Sequence, residues 1–470
     1  MMIEATHFNP TNILRTMNEP RVDLATSPAD LSRRNFLKKS SLTLAGVAAV
    51  SQFPFAITGR AAPDDPIKIG LIGCGGRGTG ALLDALGAAT NVIYPRSGYH
   101  TEDAAQNAAA TQKGLSVAAL ADVFPDRLAR CREQLKKLNI DLPDDRCFTG
   151  FDAYKKLLAI DEINYVIQAT PPHFRPLHLR AAIEAGKNVF VEKPAALDGP
   201  GIRSVIESSE LAKQKNLGIV VGTQRRHLFS YAETIKRLQD GAIGDILYGT
   251  CYWNGGVIWV VTREAGWTDM EWQLRNWNYF TWLGGDHIVE QHVHNLDVMN
   301  WVLGHPIKAY AMGGRQARPS KDYGHIYDHF AVEFEYANGM RMFSQCKQMD
   351  GCEDRVAELV VGTKGTSNCQ NLIQVKGGDP WRFLGKDPNA YRQEHLDLIN
   401  SIRAGKPLNE ARTAAESTLM GIMGREAAYS GKSVTWDAAL NSTTRLGPEK
   451  YEFGDLPFPE VAIPGKYKFA

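Results

Sequence analysis

A short apolar run followed at once by closely spaced glycines constrains the fold of this chain more than any other feature. Residues 67–72 read Ile-Lys-Ile-Gly-Leu-Ile, and residues 73–78 read Gly-Cys-Gly-Gly-Arg-Gly. The first run is typical of a buried parallel strand, and the residues that follow the glycines favour a helix. The alternative interpretation of the loop is a glycine-rich structural turn.

In a strand-loop-helix unit of this kind each glycine has a physical reason. Gly73 permits a tight turn, Gly75 lets a pyrophosphate approach the backbone, and Gly78 lets helix and strand pack closely. The N-terminus of the helix supplies amide donors for the phosphates. The loop residues that we expect to bind a dinucleotide are Gly73, Gly75, Gly76, Arg77 and Gly78.

A second apolar run, residues 116–121, ends at Asp122. A carboxylate here typically accepts hydrogen bonds from the adenosine ribose and disfavours a 2′-phosphate, which predicts NAD in preference to NADP. The alternative is a helix cap or a solvated turn residue. Asp122 stands further from Gly78 than the roughly 20 residues usual for this unit, which predicts an inserted loop and short helix at about residues 87–113.

Three further apolar runs, residues 165–170, 188–191 and 217–222, continue the pattern. Strands that alternate with helices predict a doubly wound parallel sheet. We expect a dinucleotide-binding domain over residues 63–225 and a separate substrate domain over residues 226–440. Residues 441–470, rich in proline, are expected to form an extended tail on the same chain or on a neighbour.

Residues 1–62 have the order of a leader and a signal peptide. Arg33 and Arg34 precede a short apolar stretch at 42–55, and small residues follow it. This order predicts a twin-arginine signal, read by the twin-arginine export machinery, and a periplasmic location. The alternative is a basic tail before a buried helix. Export in the folded state predicts a cofactor that is loaded beforehand, held tightly and recycled on the protein.

The overall composition argues against several classes of partner. The formal net charge is +1 and we find no basic stripe, which excludes nucleic acid and a stable membrane association as expected partners. The seven cysteines contain no C-x-x-C pair, which argues against a structural zinc site or a thioredoxin-type site.

Taken in order, the motifs resemble the Gfo/Idh/MocA family, the relatives of glucose-fructose oxidoreductase and inositol dehydrogenase. The matching pieces are the glycine loop, Asp122, Ala-Thr-Pro-Pro-His at 169–173, Glu-Lys-Pro at 192–194, and a later helix rich in histidine. The resemblance implies a second α/β domain with a large, open, mostly antiparallel sheet, and NAD(P)-dependent chemistry on sugars, inositols or polyols. It also implies a homo-oligomer. The further cofactor-binding residues that it implies are Thr170, Pro171, His173, Glu192 and Lys193.

The family places a catalytic lysine at the position of Lys193. A lysine at the carboxyl end of a buried strand, beside the cofactor crevice, can be partly desolvated and can hydrogen-bond a reacting hydroxyl. The alternative is a surface lysine in an ion pair.

Polar residues on the later helix predict a catalytic face. His287, Glu290, His294 and Asp297 are spaced three, four and three residues apart, which would place them on one side of a helix. By the resemblance, His294 carries the proton, Glu290 supports it, and Asp297 contacts substrate. His292 stands where the family usually has a small residue.

Two alternatives stay open for this helix. The side chains of His287, Glu290, His292 and His294 could ligate a divalent metal, since imidazole and carboxylate are both metal ligands. The same residues could instead form a buried polar network with a structural role.

Aromatic residues crowd the approach to this helix. Aromatic faces stack on the C–H faces of sugar rings, so we predict that Trp253 and Trp277 contact substrate, together with Arg225 at the start of the second domain. The alternative is a core or an oligomer interface.

The predicted reaction is hydride transfer between a secondary alcohol and a nicotinamide. A second hypothesis is an NAD-dependent glycosidase on the same scaffold, with transient oxidation, elimination and no net redox change. A third is a sugar- or nucleotide-binding protein without catalysis.

Overall fold

The structure is a computed structural model, and it describes residues 66–92 and 102–469. The predicted leader and twin-arginine signal lie outside the described residues. Within the described ranges, we find no helix that combines the length and the apolar character needed to cross a membrane.

The first sheet consists of six parallel strands in the order β5-β4-β1-β6-β7-β8. Its strands are β1 (Ile67–Ile72), β4 (Leu115–Asp122), β5 (Cys147–Thr149), β6 (Tyr165–Gln168), β7 (Asn188–Val191) and β8 (Ile219–Val221). The helices that connect them are α1 (Gly76–Ala85), α2 (Pro125–Lys136), α3 (Ala153–Leu158), α4 (Arg175–Glu184) and α5 (Gly199–Gln214). The order reverses beside β1, as in a doubly wound nucleotide-binding fold. The predicted parallel sheet is confirmed.

In the described residues of the insertion after α1, 87–92 and 102–113, two short strands pair and no helix forms. Its strands are β2 (Thr90–Val92) and β3 (Glu102–Ala104), which pair antiparallel. The residues after β3 cannot continue as a helix because Asn107 and Gly114 have φ of 61° and 73°. A left-handed residue interrupts a right-handed helix.

The second sheet has nine strands in the order β16-β15-β14-β13-β9-β12-β11-β10-β17. Its strands are β9 (Ile246–Gly255), β10 (Lys308–Gly314), β11 (His329–Glu335), β12 (Arg341–Gln348), β13 (Arg355–Gly362), β14 (Gly365–Ser367), β15 (Leu372–Val375), β16 (Trp381–Arg382) and β17 (Val434–Thr435). Neighbouring strands are antiparallel, apart from the parallel pair of β9 and β12. This confirms the large, mostly antiparallel second sheet.

Helices cover one face of the second sheet and leave the other face open. The helices of this part of the chain are α6 (Phe229–Gln239), α7 (Asp269–Arg275), α8 (Thr281–Gly284), α9 (His287–Glu290), α10 (Val293–Leu303), α11 (Ala390–Arg403), α12 (Ala411–Ser430) and α13 (Trp436–Asn441). Of these, α10 packs on β9 and β13, whereas α11 returns to α1 and β8 of the first sheet. The two sheets are thereby joined by helices as well as by the chain crossing.

The C-terminal segment packs on its own chain. The Tyr451 hydroxyl lies 2.9 Å from Nε2 of His173, and the Phe453 ring lies 5.2 Å from that of Phe151. Further along, the Tyr327 hydroxyl donates to the Ala462 carbonyl at 2.8 Å. Of the two placements expected for this tail, the structure has the intramolecular one.

Candidate active site

A cavity of about 410 Å³ lies at the carboxyl edge of the first sheet. The residues that follow β1, β4, β6 and β7 line it, as expected where the order of a parallel sheet reverses. Residues of the second sheet and of its covering helices close the opposite wall. Glycine-loop residues and candidate catalytic side chains therefore share one cavity.

The glycine loop has the shape that a dinucleotide phosphate needs. Gly73 has φ of 97°, and a Cβ on Gly78 would collide with the Gly73 carbonyl, so both positions require glycine. A Cβ on Gly75 would meet nothing within 4 Å, because this residue faces the open cavity. Helix α1 begins at Gly76 and directs its first amides to the same space. The loop therefore fits a bound pyrophosphate.

Asp122 holds this loop in place. One carboxylate oxygen accepts from the backbone N–H of Cys74 at 2.6 Å, and the other accepts from that of Phe124 at 2.8 Å. Burial raises the pKa of the Asp122 carboxyl, with nearby Arg127 and these two amides opposing the rise. Asp122 lines the cavity, and its contact with a ribose stays a prediction.

Arg77 and Glu192 also line the cavity, but they mainly bind each other. Arg77 Nε lies 2.5 Å from the Glu192 carboxylate, and the guanidinium also pairs with Asp84 and Glu394. Burial alone would raise the pKa of Glu192, but Arg77 leads a set of cations that keeps it below its usual value. The Arg77 guanidinium is thus committed to carboxylates, which leaves its backbone for the predicted phosphate contact.

The structure separates the three residues predicted after β6. Thr170 and Pro171 line the cavity, whereas His173 is absent from the lining that the described residues form. His173 turns to the C-terminal tail, with Nε2 2.9 Å from the Tyr451 hydroxyl and its ring 5.0 Å from that of Trp282. Burial lowers its pKa to about 4. The ring of His173 thus packs on the tail, and its contact with the cofactor stays a prediction.

Lys193 forms an ion pair inside the cavity instead of on the surface. Its Nζ lies 2.8 Å from Oε1 of Glu290 and donates to the backbone carbonyl of Glu290 at 2.6 Å. The lysine side chain is 13% exposed and the glutamate side chain 3%. The second carboxylate oxygen of Glu290 is buried without a hydrogen-bond partner among the described residues.

The predicted histidine-rich helix is interrupted. It consists of α9 and α10, with Gln291 and His292 between them. The backbone N–H of His294 donates to the Gln291 carbonyl at 3.3 Å. In a continuous helix it would bond to the Glu290 carbonyl, four residues back. That carbonyl instead accepts the Lys193 ammonium.

His294 lines the cavity beside this pair. Its ring stacks on the indole of Trp253, with centroids 5.6 Å apart and planes at 28°. Burial first, and then the positive charges of Lys193 and Arg225, hold the pKa of His294 well below its usual value. The imidazole is therefore neutral at neutral pH and can accept a proton.

The four possible metal ligands do not converge. His287 Nδ1 lies 2.9 Å from the Asp286 carboxylate, and His292 Nε2 lies 2.6 Å from the Ser344 hydroxyl. The described residues contain no group of three histidine, cysteine or acidic side chains placed to hold a metal ion. The metal alternative on His287, Glu290, His292 and His294 is therefore not supported, because the interruption turns His292 towards the second sheet.

Asp297 and Arg225 form buried ion pairs next to the cavity wall. Asp297 is 1% exposed and binds Arg226 through both carboxylate oxygens. Arg226 Nε donates to Oδ2 at 2.8 Å, and Arg226 Nη2 donates to Oδ1 at 2.9 Å. Arg225 pairs with Glu358, and its guanidinium carbon lies 5.8 Å from the centroid of the Trp253 ring. Neither lines the cavity among the described residues. Each charge is paired inside the protein, and the predicted substrate contacts of the two residues stay predictions.

Trp253 and Trp277 both line the cavity, as predicted for substrate contacts. Trp259 packs edge-on to Trp277 at 5.6 Å and completes this aromatic wall. Sequence reasoning did not single out Gln291 or Tyr391, which also line the cavity. Gln291 lies within the histidine motif and could have been found from it. Tyr391 comes from distant α11 and carries no local signal.

Comparisons with known proteins agree with this architecture. The model of the oxidoreductase family with an NAD-binding Rossmann fold matches residues 97–223, and the GFO/IDH/MocA C-terminal domain matches residues 231–368. An inositol 2-dehydrogenase of Gluconacetobacter diazotrophicus is 28% identical over 271 residues, which cover 54% of this chain and 72% of that protein. A glycosyl hydrolase family 109 protein of Shewanella baltica is 24% identical over 374 residues, which cover 74% and 73%.

Solved structures share the fold. An oxidoreductase of Thermotoga maritima superposes with a TM-score of 0.60 at 18% identity, over 80% of this chain and 100% of that one. The scyllo-inositol dehydrogenase of Lactobacillus casei, solved with NAD(H) and scyllo-inositol, gives 0.57 at 20% identity over 79% and 99%.

Proposed function

The chain belongs to the Gfo/Idh/MocA family of oxidoreductases and contains an NAD-binding Rossmann domain, and from this premise we propose a specific reaction. The protein transfers a hydride between a secondary alcohol of a sugar, glycoside or polyol and a nicotinamide cofactor that it holds tightly. One observation carries this proposal: Lys193, Glu290 and His294 line the same cavity as the glycine loop.

The dinucleotide, when bound, supplies the hydride acceptor or donor. His294, neutral and facing the cavity, accepts the hydroxyl proton as the alcohol is oxidised. The Lys193 ammonium hydrogen-bonds the substrate oxygen and stabilises the negative charge that develops there. The unpartnered oxygen of Glu290 accepts a hydrogen bond from a neighbouring substrate hydroxyl. A carbon with two adjacent hydroxyls, as in a sugar ring, satisfies both contacts.

The aromatic wall supports a carbohydrate-like substrate. Trp253, Trp259 and Trp277 line the part of the cavity that also contains His294. Indole faces provide broad apolar contact to C–H groups, while Gln291 beside them offers polar contacts. Asp122 at the end of β4 supports NAD over NADP.

Identification of the bound dinucleotide tests the proposal first. The purified protein is denatured, and the released small molecule is identified by mass. Stoichiometric NAD or NADH, followed by absorbance change at 340 nm with a panel of sugars and polyols, is the expected result. A protein that is empty and also fails to bind added dinucleotide would contradict it.

A glycosidase is the second candidate function. It is favoured by the family 109 glycosyl hydrolase relative, whose match spans 374 residues. Aryl glycosides distinguish the two functions, because the glycosidase releases the aryl alcohol without net NADH. Release of the chromophore at constant absorbance of the cofactor would favour this candidate over net oxidation.

Self-association through the open face of the second sheet is a further part of the proposal. Tyr310, Met312 and Phe343 on β10 and β12 are 56%, 69% and 45% exposed, respectively. Clustered apolar side chains of this size commonly mark a protein interface. Sedimentation of the purified protein, with Met312→Lys as the disrupting variant, tests it.

A further inference from the structure

The interruption between α9 and α10 has an unusual backbone pattern. The N–H groups of Gln291 and His292 both donate to the carbonyl of His287, at 3.0 and 3.1 Å. The first bond spans four residues and the second spans five, so the backbone widens locally before α10 starts. Such local widening of a helix is frequent at functional sites. It displaces the N–H of His294 from the Glu290 carbonyl.

The side chain of His292 anchors this interruption to the second sheet. The imidazole is fully buried, and its Nε2 lies 2.6 Å from the Ser344 hydroxyl and 3.7 Å from Cys251 Sγ. Ser344 and Cys251 are register partners on the parallel strands β12 and β9. The ring is thus seated over the centre of the sheet. Burial lowers the pKa of His292 to about 3, so the ring stays neutral over the physiological range.

The other residue of the interruption is tied to the same strand. Oε1 of Gln291 accepts from Nε2 of Gln348 at 2.7 Å, and Gln348 is the last residue of β12. Both side chains are buried. Two consecutive residues of the interruption therefore hydrogen-bond to β12, and neither contact involves a charged group.

We infer that His292 and Ser344 are positioning residues: their contact fixes the helix interruption, and the interruption keeps the Glu290 carbonyl available to hold Lys193 Nζ. The carbonyl and the carboxylate of one residue then clasp the ammonium from two sides, at 2.6 and 2.8 Å. Hydrogen bonds from two directions restrict the rotamers of a long, flexible side chain. The lysine is thereby placed beside His294 before substrate arrives.

The variant Ser344→Ala tests this inference, which rests on the proposed function for its kinetic part. The hydroxyl is removed from a residue outside the cavity lining. We expect kcat to fall about tenfold, because small displacements of a catalytic group reduce the rate strongly, with KM changed less than twofold. Ser344→Thr, which retains the hydroxyl, is expected to keep most of the activity. Gln348→Met, which removes the other tie, is expected to lower kcat in the same way.

The matched control is Ser367→Ala. Ser367 is 2% exposed on β14 of the same sheet, and its hydroxyl also makes a short hydrogen bond, to the Leu372 carbonyl at 2.6 Å. A general effect of removing a buried hydroxyl would appear in this variant too. Equal losses in Ser344→Ala and Ser367→Ala, or unchanged kinetics in Ser344→Ala and Gln348→Met, would overturn the inference.

A second readout does not depend on turnover. The holoprotein is labelled with acetic anhydride, and the rate at Lys193 is followed by mass spectrometry across pH. In Ser344→Ala, Lys193 Nζ should lose its hydrogen bond to the Glu290 carbonyl. It is therefore expected to react several-fold faster than in the parent or in Ser367→Ala. Faster labelling in a protein that oxidises no sugar would support the inference and refute the proposed function. Unchanged labelling would refute the inference alone.

Discussion

Two buried ion pairs, whose carboxylates come from the same histidine-rich segment, differ in the hydrogen-bonding groups that they leave available. Lys193 and Glu290 meet at the cavity wall, where the lysine is 13% exposed and one glutamate oxygen has no partner among the described residues. Arg226 and Asp297 are 2% and 1% exposed, and both aspartate oxygens are taken by the guanidinium. The carboxylate of the first pair can still accept a hydrogen bond from a substrate, whereas both carboxylate oxygens of the second pair are already occupied. We call the first the open pair and the second the closed pair.

The surroundings of the second pair explain its closure. The Ser417 hydroxyl donates to Asp297 at 2.7 Å, and the Arg226 guanidinium lies 4.9 Å from the Trp301 ring centroid. A buried ion pair whose carboxylate oxygens are both satisfied fixes structure, whereas one with an unsatisfied carboxylate oxygen at a cavity is suited to chemistry. Whether a charged pair has a structural or a chemical role therefore depends here on its position relative to the cavity, and not on which charged residues form it.

The largest expected effect comes from Lys193→Met at the open pair. We expect kcat to fall by about 10² to 10⁴, the range for loss of a proton-handling group. Bound dinucleotide should stay near that of the parent, whereas the melting temperature should fall, because the buried Glu290 carboxylate loses its cationic partner. Steady-state kinetics and release of cofactor on denaturation measure both. Activity close to that of the parent would remove Lys193 from the mechanism.

The closed pair should give the opposite result. Asp297→Ala leaves the buried Arg226 charge without its partner, which costs about 3–5 kcal/mol of folding free energy. Urea unfolding of the holoprotein measures this loss. We expect the fraction that remains folded to turn over at close to the parental kcat. A large loss of kcat in fully folded protein would return Asp297 to the catalytic set and erase the contrast between the pairs.

Sequence patterns predicted the elements of both pairs but not their pairing. Apolar runs located β1, β4, β6, β7 and β8, because burial in a parallel sheet imposes a continuous apolar sequence. The spacing of Glu290, His294 and Asp297 predicts one helix face. It does not reveal the interruption of the helix, because the periodicity of side chains cannot detect a change in a single backbone hydrogen bond. The partner of Asp297, Arg226, comes from a distant turn, and no local pattern links the two.

The pH dependence of turnover sharpens the description of the open pair. Burial and the charge of Lys193 keep the pKa of His294 below its usual value of 6.5. The kcat/KM for alcohol oxidation should therefore stay constant from pH 8 to below pH 6, and fall only when His294 becomes protonated. Trp253→Leu exposes the imidazole and should move this acid limb upward. An acid limb already at pH 6.5 in the parent would contradict a desolvated His294.

A smaller effect, on stability, is expected at a second buried ionic site, that of His227. His227 lies 2.7 Å from Asp397 and 3.5 Å from Glu410. Burial alone would lower its pKa, but Glu410 and Asp397 outweigh burial and raise it to about 10. The folded protein therefore holds a proton that the unfolded chain releases above pH 6.5. The contribution of this proton to the free energy of unfolding is complete below pH 6.5 and is lost as the pH rises towards 10.

Unfolding by urea at pH 6 and pH 9 measures that loss, with His227→Gln as the comparison. The parent should lose more stability than the variant over this interval. His292, with its pKa near 3 in the folded protein, adds its own pH response through the unfolded chain, but this response is common to parent and variant and cancels in the comparison. An equal pH response in the two proteins would show that His227 is not protonated in the folded state.

The packing of the C-terminal tail has a consequence for the order in which the molecule is made. Phe124 and Phe151 line the cavity, and the ring that packs against both belongs to Phe453. During synthesis the parallel sheet leaves the ribosome long before Phe453 does. The contacts of Phe453 with this wall of the cavity therefore form only at the end of translation, after the parallel sheet and the Arg275 side chain that also packs on Phe124 have been made.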